Sequence, residues 1–187
     1  MRVITGTARG RRLKELEGME TRPTTDRVKE GLFSILQFHI EGRRILDLFA
    51  GTGQLGIECL SRGAQSCVFV ECRTDAVKLI RENLKTTDLT DRAQVVSGDS
   101  MSYLNSVRQP FDLIFLDPPY ESGQLETALV HIAKFDILAP HGIIAAEHPV
   151  DKALPQLAPP YRLHRTYRYG KIGVTIYHRD GNQENEG

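Results

Sequence analysis

The segment Asp117-Pro118-Pro119-Tyr120 combines residue types that can hold a planar amino group in one place. The carboxylate of Asp117 and the carbonyl of Pro118 can each accept one of the two amino hydrogens. The two prolines fix the backbone and remove two N–H donors, so the carbonyls there are rigid acceptors. Tyr120 supplies an aromatic face on which a nucleobase can stack after it has swung out of its helix. A strand-ending turn alone would not require an Asp at a partly desolvated position.

A glycine-rich segment, Gly51-Thr-Gly53-Gln-Leu-Gly56, lies between an apolar strand and a helix. Glycines at such a turn let the backbone approach a ligand at the helix N-terminus, although turns without ligands use them too. Glu71 ends the next strand, 20 residues after Gly51, where its carboxylate can accept hydrogen bonds from two ribose hydroxyls. The combination indicates an adenosine-type cofactor and does not separate NAD from S-adenosylmethionine.

The third predicted strand ends at Gly98-Asp99-Ser100-Met101. Because ligands of such sheets bind beyond the carboxyl ends of the strands, Asp99 is expected beside Glu71, where it could accept from an adenine amino group. An Asp before a helix is also a common N-cap, and both roles can hold together. Met101 either packs on the adenine or belongs to the core.

Strands and helices alternate from residue 24 onward, which predicts an α/β fold with a doubly wound, mostly parallel sheet of seven strands. Residues 161–169 and 172–178 alternate around Gly170 and predict a C-terminal antiparallel hairpin. Residues 1–20 precede the alternation and predict a small basic N-terminal β-ribbon extension. The other predicted elements are strands at 44–49, 66–71, 93–97, 111–117 and 142–147, and helices at 53–61, 75–84, 100–107 and 124–134, after a first helix capped by Thr25 or Asp26.

Charge is balanced overall but unevenly distributed along the 187 residues. The 24 basic and 24 acidic residues give a formal net charge of zero, which argues against a purely electrostatic nucleic-acid binder. Residues 1–14 and 152–179 nevertheless contain basic residues and no acid. These segments either grip RNA phosphates or form a solvated basic face. The candidate phosphate-binding residues are Arg9, Arg11, Arg12, Arg165 and Arg168.

Cysteine and histidine usage indicates a cytoplasmic protein without a metal. Cys59, Cys67 and Cys72 are expected to be buried free thiols in a reducing compartment. The six histidines show no metal-ligand spacing and are expected at surface or half-buried positions, although His148 follows the fifth strand and could line the pocket. No signal peptide and no apolar run of about 18 residues is present, so neither secretion nor a membrane span is expected.

The two motifs resemble those of amino-group S-adenosylmethionine-dependent methyltransferases. Asp-Pro-Pro-Tyr at residues 117–120 resembles their motif IV, and residues 46–53 look like their motif I. Over nearly the whole chain, the order of segments is similar to the RsmD family of bacterial 16S rRNA guanine-N2 methyltransferases. Members usually have glycine at the position of Thr5 and commonly alanine at that of Gly31. The other segments that carry the resemblance are 9–13, 21–24, 26–36, 60–64, 111–116 and 168–170.

Residues 180–187 are polar, acidic and contain glycine, which predicts a disordered tail. The resemblance implies a Rossmann-like class I methyltransferase domain over residues 21–179. It implies methyl transfer from S-adenosylmethionine to the exocyclic amino group of a flipped guanine, position 966 of 16S rRNA, in assembled 30S particles. We expect a monomer without metal or membrane contact. In the family, residues 21–24 lie over the cofactor pocket, so Arg22 or Thr24 could meet the cofactor carboxylate or position the base. The catalytic candidates are Asp117, Pro118, Pro119 and Tyr120, and the cofactor-binding candidates are Arg22, Thr24, Asp47, Ala50, Gly51, Gly53, Glu71, Asp99, Ser100 and Met101.

Three other functions compete with this interpretation. A DNA adenine-N6 methyltransferase shares Asp-Pro-Pro-Tyr but usually carries a target-reading insertion, which the chain lacks. A protein amide methyltransferase usually begins the motif with Asn, where this chain has Asp117. An NAD-dependent dehydrogenase or a non-catalytic nucleotide-binding module would use Gly51 and Glu71 but would leave Asp117 and Tyr120 without a role.

Overall fold

A computed structural model describes residues 1–16, 23–120 and 122–181, with residues 23–26 described by their backbone. No helix in this part of the chain has the length and apolar character needed to cross a bilayer. The strands are β1 (Arg44–Asp47), β2 (Ser66–Glu71), β3 (Ala93–Ser97), β4 (Phe111–Leu116), β5 (Leu138–Pro149), β6 (Tyr161–Tyr169) and β7 (Ile172–Arg179). The helices are α1 (Pro23–Leu36), α2 (Gln54–Ser61), α3 (Thr74–Thr87), α4 (Ser100–Ser106) and α5 (Gln124–Lys134), with a 3₁₀ turn at Thr90–Arg92.

The described strands form one seven-stranded sheet in the order β3-β2-β1-β4-β5-β7-β6. Strands β1 to β5 pair in parallel, and β7 inserts antiparallel between β5 and β6. The α/β prediction of a doubly wound, mostly parallel sheet closed by an antiparallel hairpin is therefore confirmed.

Hydrophobic side chains cover both faces of the sheet, which explains why the central strands are almost continuously apolar. Ile45 and Phe69 project into a core shared with α1, α2 and α3, whereas Leu46 and Val70 project into one shared with α4 and α5. Neighbouring residues of a strand point to opposite faces, so each central strand contributes to both cores. The two layers of helices hold the sheet edge that carries the predicted motifs.

Several element boundaries differ from the predicted ones for local reasons. Helix α1 begins at Pro23, two residues before the predicted cap, because proline suits the first turn of a helix. Helix α3 continues to Thr87 and ends where Asp88 adopts a left-handed φ of 60°. Strand β5 begins at Leu138 rather than at 142, with a register shift against β4 between Phe111 and Leu113.

The N-terminal segment, residues 1–16, packs on the main domain. Its two arms pair antiparallel at the Arg2–Arg12 bridge, and backbone hydrogen bonds join residues 1–3 to residues 10–13. Val3, Ala8 and Leu13 are buried in the core that also contains α1 and α2. The segment is therefore continuous with the main core over the residues that the structure describes.

Glu58 of α2 anchors the N-terminal segment. Its carboxylate accepts hydrogen bonds from the backbone N–H groups of Ile4 (2.8 Å) and Thr5 (3.0 Å) and pairs with Arg62 (2.8 Å). The Glu58 residue is 1% exposed, so its charge is stabilised by these three partners rather than by water. One buried carboxylate thereby fixes where the chain begins its path over the helices.

The C-terminal end of the described chain is tied to the hairpin. The backbone N–H of Asp180 donates to the Pro160 carbonyl (2.8 Å), and its carboxylate pairs with Arg162 (2.9 Å). Asp180, the first residue of the predicted tail, is therefore held in place, and residues 182–187 of that prediction lie outside the described residues.

Replacement of Glu58 by Ala is expected to lower the free energy of unfolding by roughly 2–4 kcal/mol, because two backbone donors and Arg62 lose a buried partner. Urea unfolding measures this difference. Glu82→Ala is the matched control, since Glu82 pairs with Lys14 at the surface and its loss should change stability little. Equal effects of the two substitutions would show that Glu58 does not anchor the segment.

Candidate active site

The carboxyl ends of the central strands open onto a cavity of about 440 Å³. This volume lies in the range of small-molecule and cofactor sites. Its position is the one expected for ligands of a doubly wound sheet, where the strand order reverses between β1 and β4. The described residues that line the cavity are Leu16, Phe49, Gly51, Glu71, Cys72, Arg73, Ala76, Asp99, Ser100, Asp117, Pro118, Pro119, Tyr120 and Gln124.

Hydrogen bonds from neighbouring elements hold the glycine-rich loop in shape. The N–H of Gly51 donates to Glu71 Oε2 (2.8 Å), and Asn83 Nδ2 donates to the Thr52 carbonyl (3.1 Å). Gly51 and Gly53 adopt φ values of 54° and 78°, a conformation that other residue types reach only with strain. A Cβ on Gly51 would meet nothing within 4 Å, so its φ rather than crowding requires glycine there.

Glu71 has a structural role in addition to the ribose contact that its position predicts. Its two carboxylate oxygens accept from the N–H of Gly51 and from the N–H of Arg73, each at 2.8 Å. The Cys72 thiol also donates to Oε1 (3.6 Å). A carboxylate has about four acceptor positions, so these three bonds leave capacity for one ligand hydroxyl. The same side chain thus holds the loop and faces the cavity.

Asp47 supports the loop from beneath and is not among the cavity-lining residues. Its Oδ2 accepts from the N–H of Gly56 (3.0 Å), and the residue is 2% exposed. Burial, together with the nearby charge of Glu71, raises the pKa of Asp47 to about 7, and the bond from Gly56 opposes that rise. Ala50, Gly53 and Met101, which the sequence also places at the cofactor, are likewise outside the described lining.

Asp99 is a helix cap that also lines the cavity. Its Oδ1 accepts from the N–H of Ser102 (2.7 Å), and this bond lowers the pKa of Asp99. Ser100 is buried and donates through Oγ to the Leu48 carbonyl (2.7 Å), which ties α4 to the segment after β1. Met101 packs against the core that contains α4 and α5, in agreement with the core alternative.

All four residues of Asp117-Pro118-Pro119-Tyr120 line the same cavity as Gly51 and Glu71. Burial raises the pKa of Asp117 well above its ordinary value, and the charges of Glu147 and Asp47 raise it further. A carboxyl group perturbed by burial and by like charges in a cleft is typical of functional sites. The Tyr120 hydroxyl donates to Glu147 Oε1 (2.8 Å), which fixes the tyrosine ring.

The charges of the lining suit a ligand with a positive centre. Glu71, Asp99 and Asp117 face the cavity, while the cavity-lining Arg73 pairs with Asp75 (2.6 Å). Ribose hydroxyls and an adenine amino group are donors that such carboxylates accept. These carboxylate acceptors and the open glycine loop therefore fit an adenosine cofactor with a cationic centre. Both S-adenosylmethionine and oxidised NAD meet that description.

Some cavity residues carry no signal in the sequence. Phe49 lies within the motif of residues 46–53, and Cys72 and Arg73 directly follow Glu71, so all three could have been included by proximity. Leu16 arrives from the N-terminal segment, so its position depends on that segment's packing. The other cavity residues that sequence reasoning missed are Ala76 and Gln124.

Two predictions about single residues, Cys72 and His148, are wrong. Cys72 is exposed at the cavity rather than buried. His148 is buried rather than half-buried, with its ring nitrogens 2.8 Å from the Pro149 carbonyl and the Thr175 hydroxyl. Arg22 and the side chain of Thr24 lie outside the described residues.

The candidate phosphate-binding arginines do not cluster at the cavity. Arg9 is exposed next to Ala8, which bonds to Ser61 at the end of α2, and Arg11 Nη1 donates to the Thr86 carbonyl near the end of α3. Both helices begin at the cavity edge, so their last turns lie toward the opposite edge of the sheet. Arg165 and Arg168 are exposed on β6, an edge strand. Arg12 is exposed and pairs with Arg2 through the backbone.

Comparison with known proteins gives consistent matches along the whole chain. Residues 1–178 match the family model described as "Conserved hypothetical protein 95". YlbH of Bacillus subtilis (strain 168) is 43% identical over 184 residues, 97% of this chain and 100% of that protein. Ribosomal RNA small subunit methyltransferase D of Escherichia coli (strain K12) is 34% identical over 186 residues, 100% of this chain and 93% of that protein. The solved structure of yhhF from Escherichia coli superposes with a TM-score of 0.87 at 33% identity, covering 96% of this chain and 98% of that one.

Asp47 is expected to make the protein less stable as the pH rises. Between the unfolded pKa of 3.8 and the folded pKa of about 7, the folded state keeps a proton that the unfolded chain has lost, so stability falls with rising pH. Asp47→Asn keeps an acceptor for Gly56 and does not titrate. Its stability relative to the original protein should therefore increase by a few kcal/mol between about pH 4 and about pH 8.

Urea unfolding across that pH range measures the difference. Asp75→Asn is the control, because Asp75 is exposed and Arg73 lowers its pKa. A pH-independent difference between Asp47→Asn and the original protein would contradict the raised pKa of Asp47.

Proposed function

We propose that this chain, which belongs to the "Conserved hypothetical protein 95" (RsmD) family, methylates the exocyclic N2 amino group of guanine 966 in 16S rRNA. At the coarser level it is an S-adenosylmethionine-dependent rRNA methyltransferase. The guanine position, the N2 atom and the assembled 30S particle as substrate are the finer parts of the proposal. Relatives such as ribosomal RNA small subunit methyltransferase D of Escherichia coli and of Haemophilus influenzae are methyltransferases by name, which argues against the dehydrogenase alternative.

The observation that carries the proposal is the convergence of two motifs on one cavity. Gly51 and Glu71 line one side, and Asp117 and Tyr120 line another. A cofactor placed against the first pair and a base placed against the second would share a single space of about 440 Å³. Group transfer requires this kind of proximity, because orientation of the reactants supplies much of the rate.

The chain's own residues divide into a cofactor set and a base set. Gly51, Glu71 and Asp99 would hold the adenosine part through backbone approach and carboxylate acceptors. When bound, S-adenosylmethionine supplies a methyl group that is already activated by its positive sulfur. The protein therefore needs no metal and no covalent intermediate of its own. The remaining task is to aim the amino nitrogen.

Asp117 would aim that nitrogen by accepting one amino hydrogen, while the Pro118 carbonyl accepts the other. This geometry draws the nitrogen lone pair out of conjugation with the base, whose ring stacks on Tyr120. A nearby positive charge favours the carboxylate form of Asp117, which burial and neighbouring acids otherwise disfavour. The amine becomes acidic only as methylation proceeds, so Asp117 is chiefly an acceptor and the proton leaves to water.

The rRNA would contact the protein over a surface wider than the cavity. Exposed arginines on the N-terminal segment and on β6 can bind phosphates without reading sequence. Because Arg9 and Arg11 are distant from the cavity edge, they would bind an RNA segment other than the one that carries the target base. Recognition by shape across several segments is consistent with a folded particle as substrate.

The reaction is tested by incubating the protein with methyl-labelled S-adenosylmethionine and three substrates: unmodified 30S particles, protein-free 16S rRNA and duplex DNA. Nuclease digestion and mass spectrometry locate the label. N2-methylguanosine at position 966 in particles is the expected product. Label only in DNA as N6-methyladenine would keep the mechanism and overturn the substrate.

Asp117→Ala is expected to lower kcat by at least about 100-fold, since the amino group loses its charged acceptor. S-adenosylmethionine affinity measured by calorimetry should stay within about threefold, because the adenosine is held by other residues. Stability should not fall, because burial of this carboxyl group is unfavourable. Equal loss of turnover and cofactor binding would contradict the assigned role.

Charge reversal at Arg9, Arg11 and Arg12 is expected to raise the KM for particles by about tenfold or more at moderate salt, with cofactor affinity unchanged. The salt dependence of KM should become shallower, because fewer counterions are released from the RNA. Steady-state kinetics at several salt concentrations measures both effects. An unchanged KM would argue for a solvated basic face.

A further inference from the structure

A second carboxylate lies beside Asp117 on the neighbouring strand. Leu116 of β4 pairs with Ala146 of β5 in parallel register, so Asp117, which directly follows β4, lies next to Glu147. Glu147 itself remains in β5, where it pairs with Val174 of β7. Glu147 is half-buried and lines a small pocket together with Pro118, Pro119 and Tyr120. Its charge contributes to the raised pKa of Asp117, as expected for two acids in proximity. The sequence motifs give no indication of this residue.

Tyr120 connects the second carboxylate to the base-stacking surface. Its hydroxyl donates to Glu147 Oε1 at 2.8 Å. That bond orients the ring and the carboxylate relative to each other. Tyr120 lines the cavity, and Glu147 lies behind it in the adjoining small pocket that Pro118, Pro119 and Tyr120 share.

Two adjacent carboxylates match the hydrogen-bonding edge of guanine. Guanine presents the N1–H and the N2 amino group as neighbouring donors, whereas adenine presents an acceptor at N1 beside its amino group. An ionised carboxylate only accepts hydrogen bonds. With the amino group on Asp117, a second carboxylate would attract the N1–H of guanine and repel the N1 lone pair of adenine. Enzymes that flip bases read this edge to select them.

We propose that Glu147 is a specificity-determining residue that accepts the N1–H of the flipped guanine beside Asp117. The inference rests on the proposed function and deepens it, since it explains how a motif shared with adenine methyltransferases selects guanine. Discrimination then depends on an acceptor contributed by β5, outside the four-residue motif. A base that lacks the N1–H cannot donate to Glu147, and its N1 lone pair is then placed against the Glu147 carboxylate, which is also an acceptor.

The test compares two bases that both carry the reacting amino group. Semi-synthetic 16S rRNA, ligated with guanine or 2-aminopurine at position 966, is assembled into 30S particles. 2-Aminopurine keeps the 2-amino group but has an N1 acceptor. The original protein should methylate the guanine particles much faster. Glu147→Gln should lower kcat/KM for guanine about 10- to 100-fold and raise the 2-aminopurine-to-guanine rate ratio at least about tenfold, because glutamine can also donate to N1.

Two further variants and two biophysical measurements separate base recognition from a purely structural role. Tyr120→Phe removes the hydroxyl that holds Glu147 and keeps the aromatic face. If Glu147 only anchors the tyrosine, Tyr120→Phe and Glu147→Gln should each lower kcat/KM equally for guanine and for 2-aminopurine. Glu82→Gln makes the same chemical change on the exposed side of α3 and should alter neither rate nor ratio. Calorimetric affinity for S-adenosylmethionine and thermal unfolding should be similar in all variants.

The outcomes distinguish this inference from the proposed function. If the original protein methylates guanine particles and Glu147→Gln leaves the ratio unchanged, the role of Glu147 is overturned while the reaction stands. If the original protein does not methylate guanine particles, the proposed function fails, and the role of Glu147 in guanine selection fails with it. A raised ratio in Glu147→Gln and an unchanged ratio in Tyr120→Phe support direct contact with the base.

Discussion

The burial of carboxyl groups at one edge of a parallel sheet is the constraint on which this structure depends. Asp47 ends β1, Asp117 directly follows β4, and Glu147 lies beside Asp117 in β5; these three strands are consecutive in the sheet. Desolvation and mutual repulsion raise the pKa of Asp47 and of Asp117, so the arrangement opposes stability. Such carboxyl groups lower the stability of the free protein, but they provide hydrogen-bond acceptors for a ligand. A binding site can therefore retain them at a cost in folding free energy.

The glycine-rich loop depends on contacts outside itself. Glu71 bonds Gly51, Asn83 bonds Thr52, and Asp47 bonds Gly56. Each of these side chains belongs to a different element, so the loop is rigid only when β1, β2 and α3 are packed together. Loop shape, cavity shape and core packing are thus parts of one cooperative unit.

The N-terminal segment takes part in the same unit. Glu58 holds the beginning of the segment through the N–H of Ile4. Further along, Asn83 Oδ1 accepts from the N–H of Lys14, and Asn83 Nδ2 donates to the Lys14 carbonyl. Asn83 is fully buried and also contacts the glycine loop, so it couples the two segments directly. Leu16 reaches the cavity wall as a result. A segment that looks like a basic appendage in the sequence therefore contributes to the site.

The sequence by itself determined the element order, the sheet class and the motif positions, since hydrophobic period, glycines and prolines act over a few residues. Asp117, Tyr120, Gly51, Glu71 and Asp99 all reach one cavity because parallel strands must end at a common edge. The predicted burial of Cys72 and of His148 was wrong, because neighbours that are distant in the sequence decide how buried each side chain is.

Only the tertiary structure decided which side chains support others and which face the ligand. Asp47 and Asp117 both end apolar strands, yet Asp47 bonds Gly56 beneath the loop and Asp117 faces the cavity. Glu147 became visible as a neighbour of Asp117 only through the register between β4 and β5. Strand order and register are set by packing between segments that are far apart in the chain, and no local pattern of residue types encodes that packing.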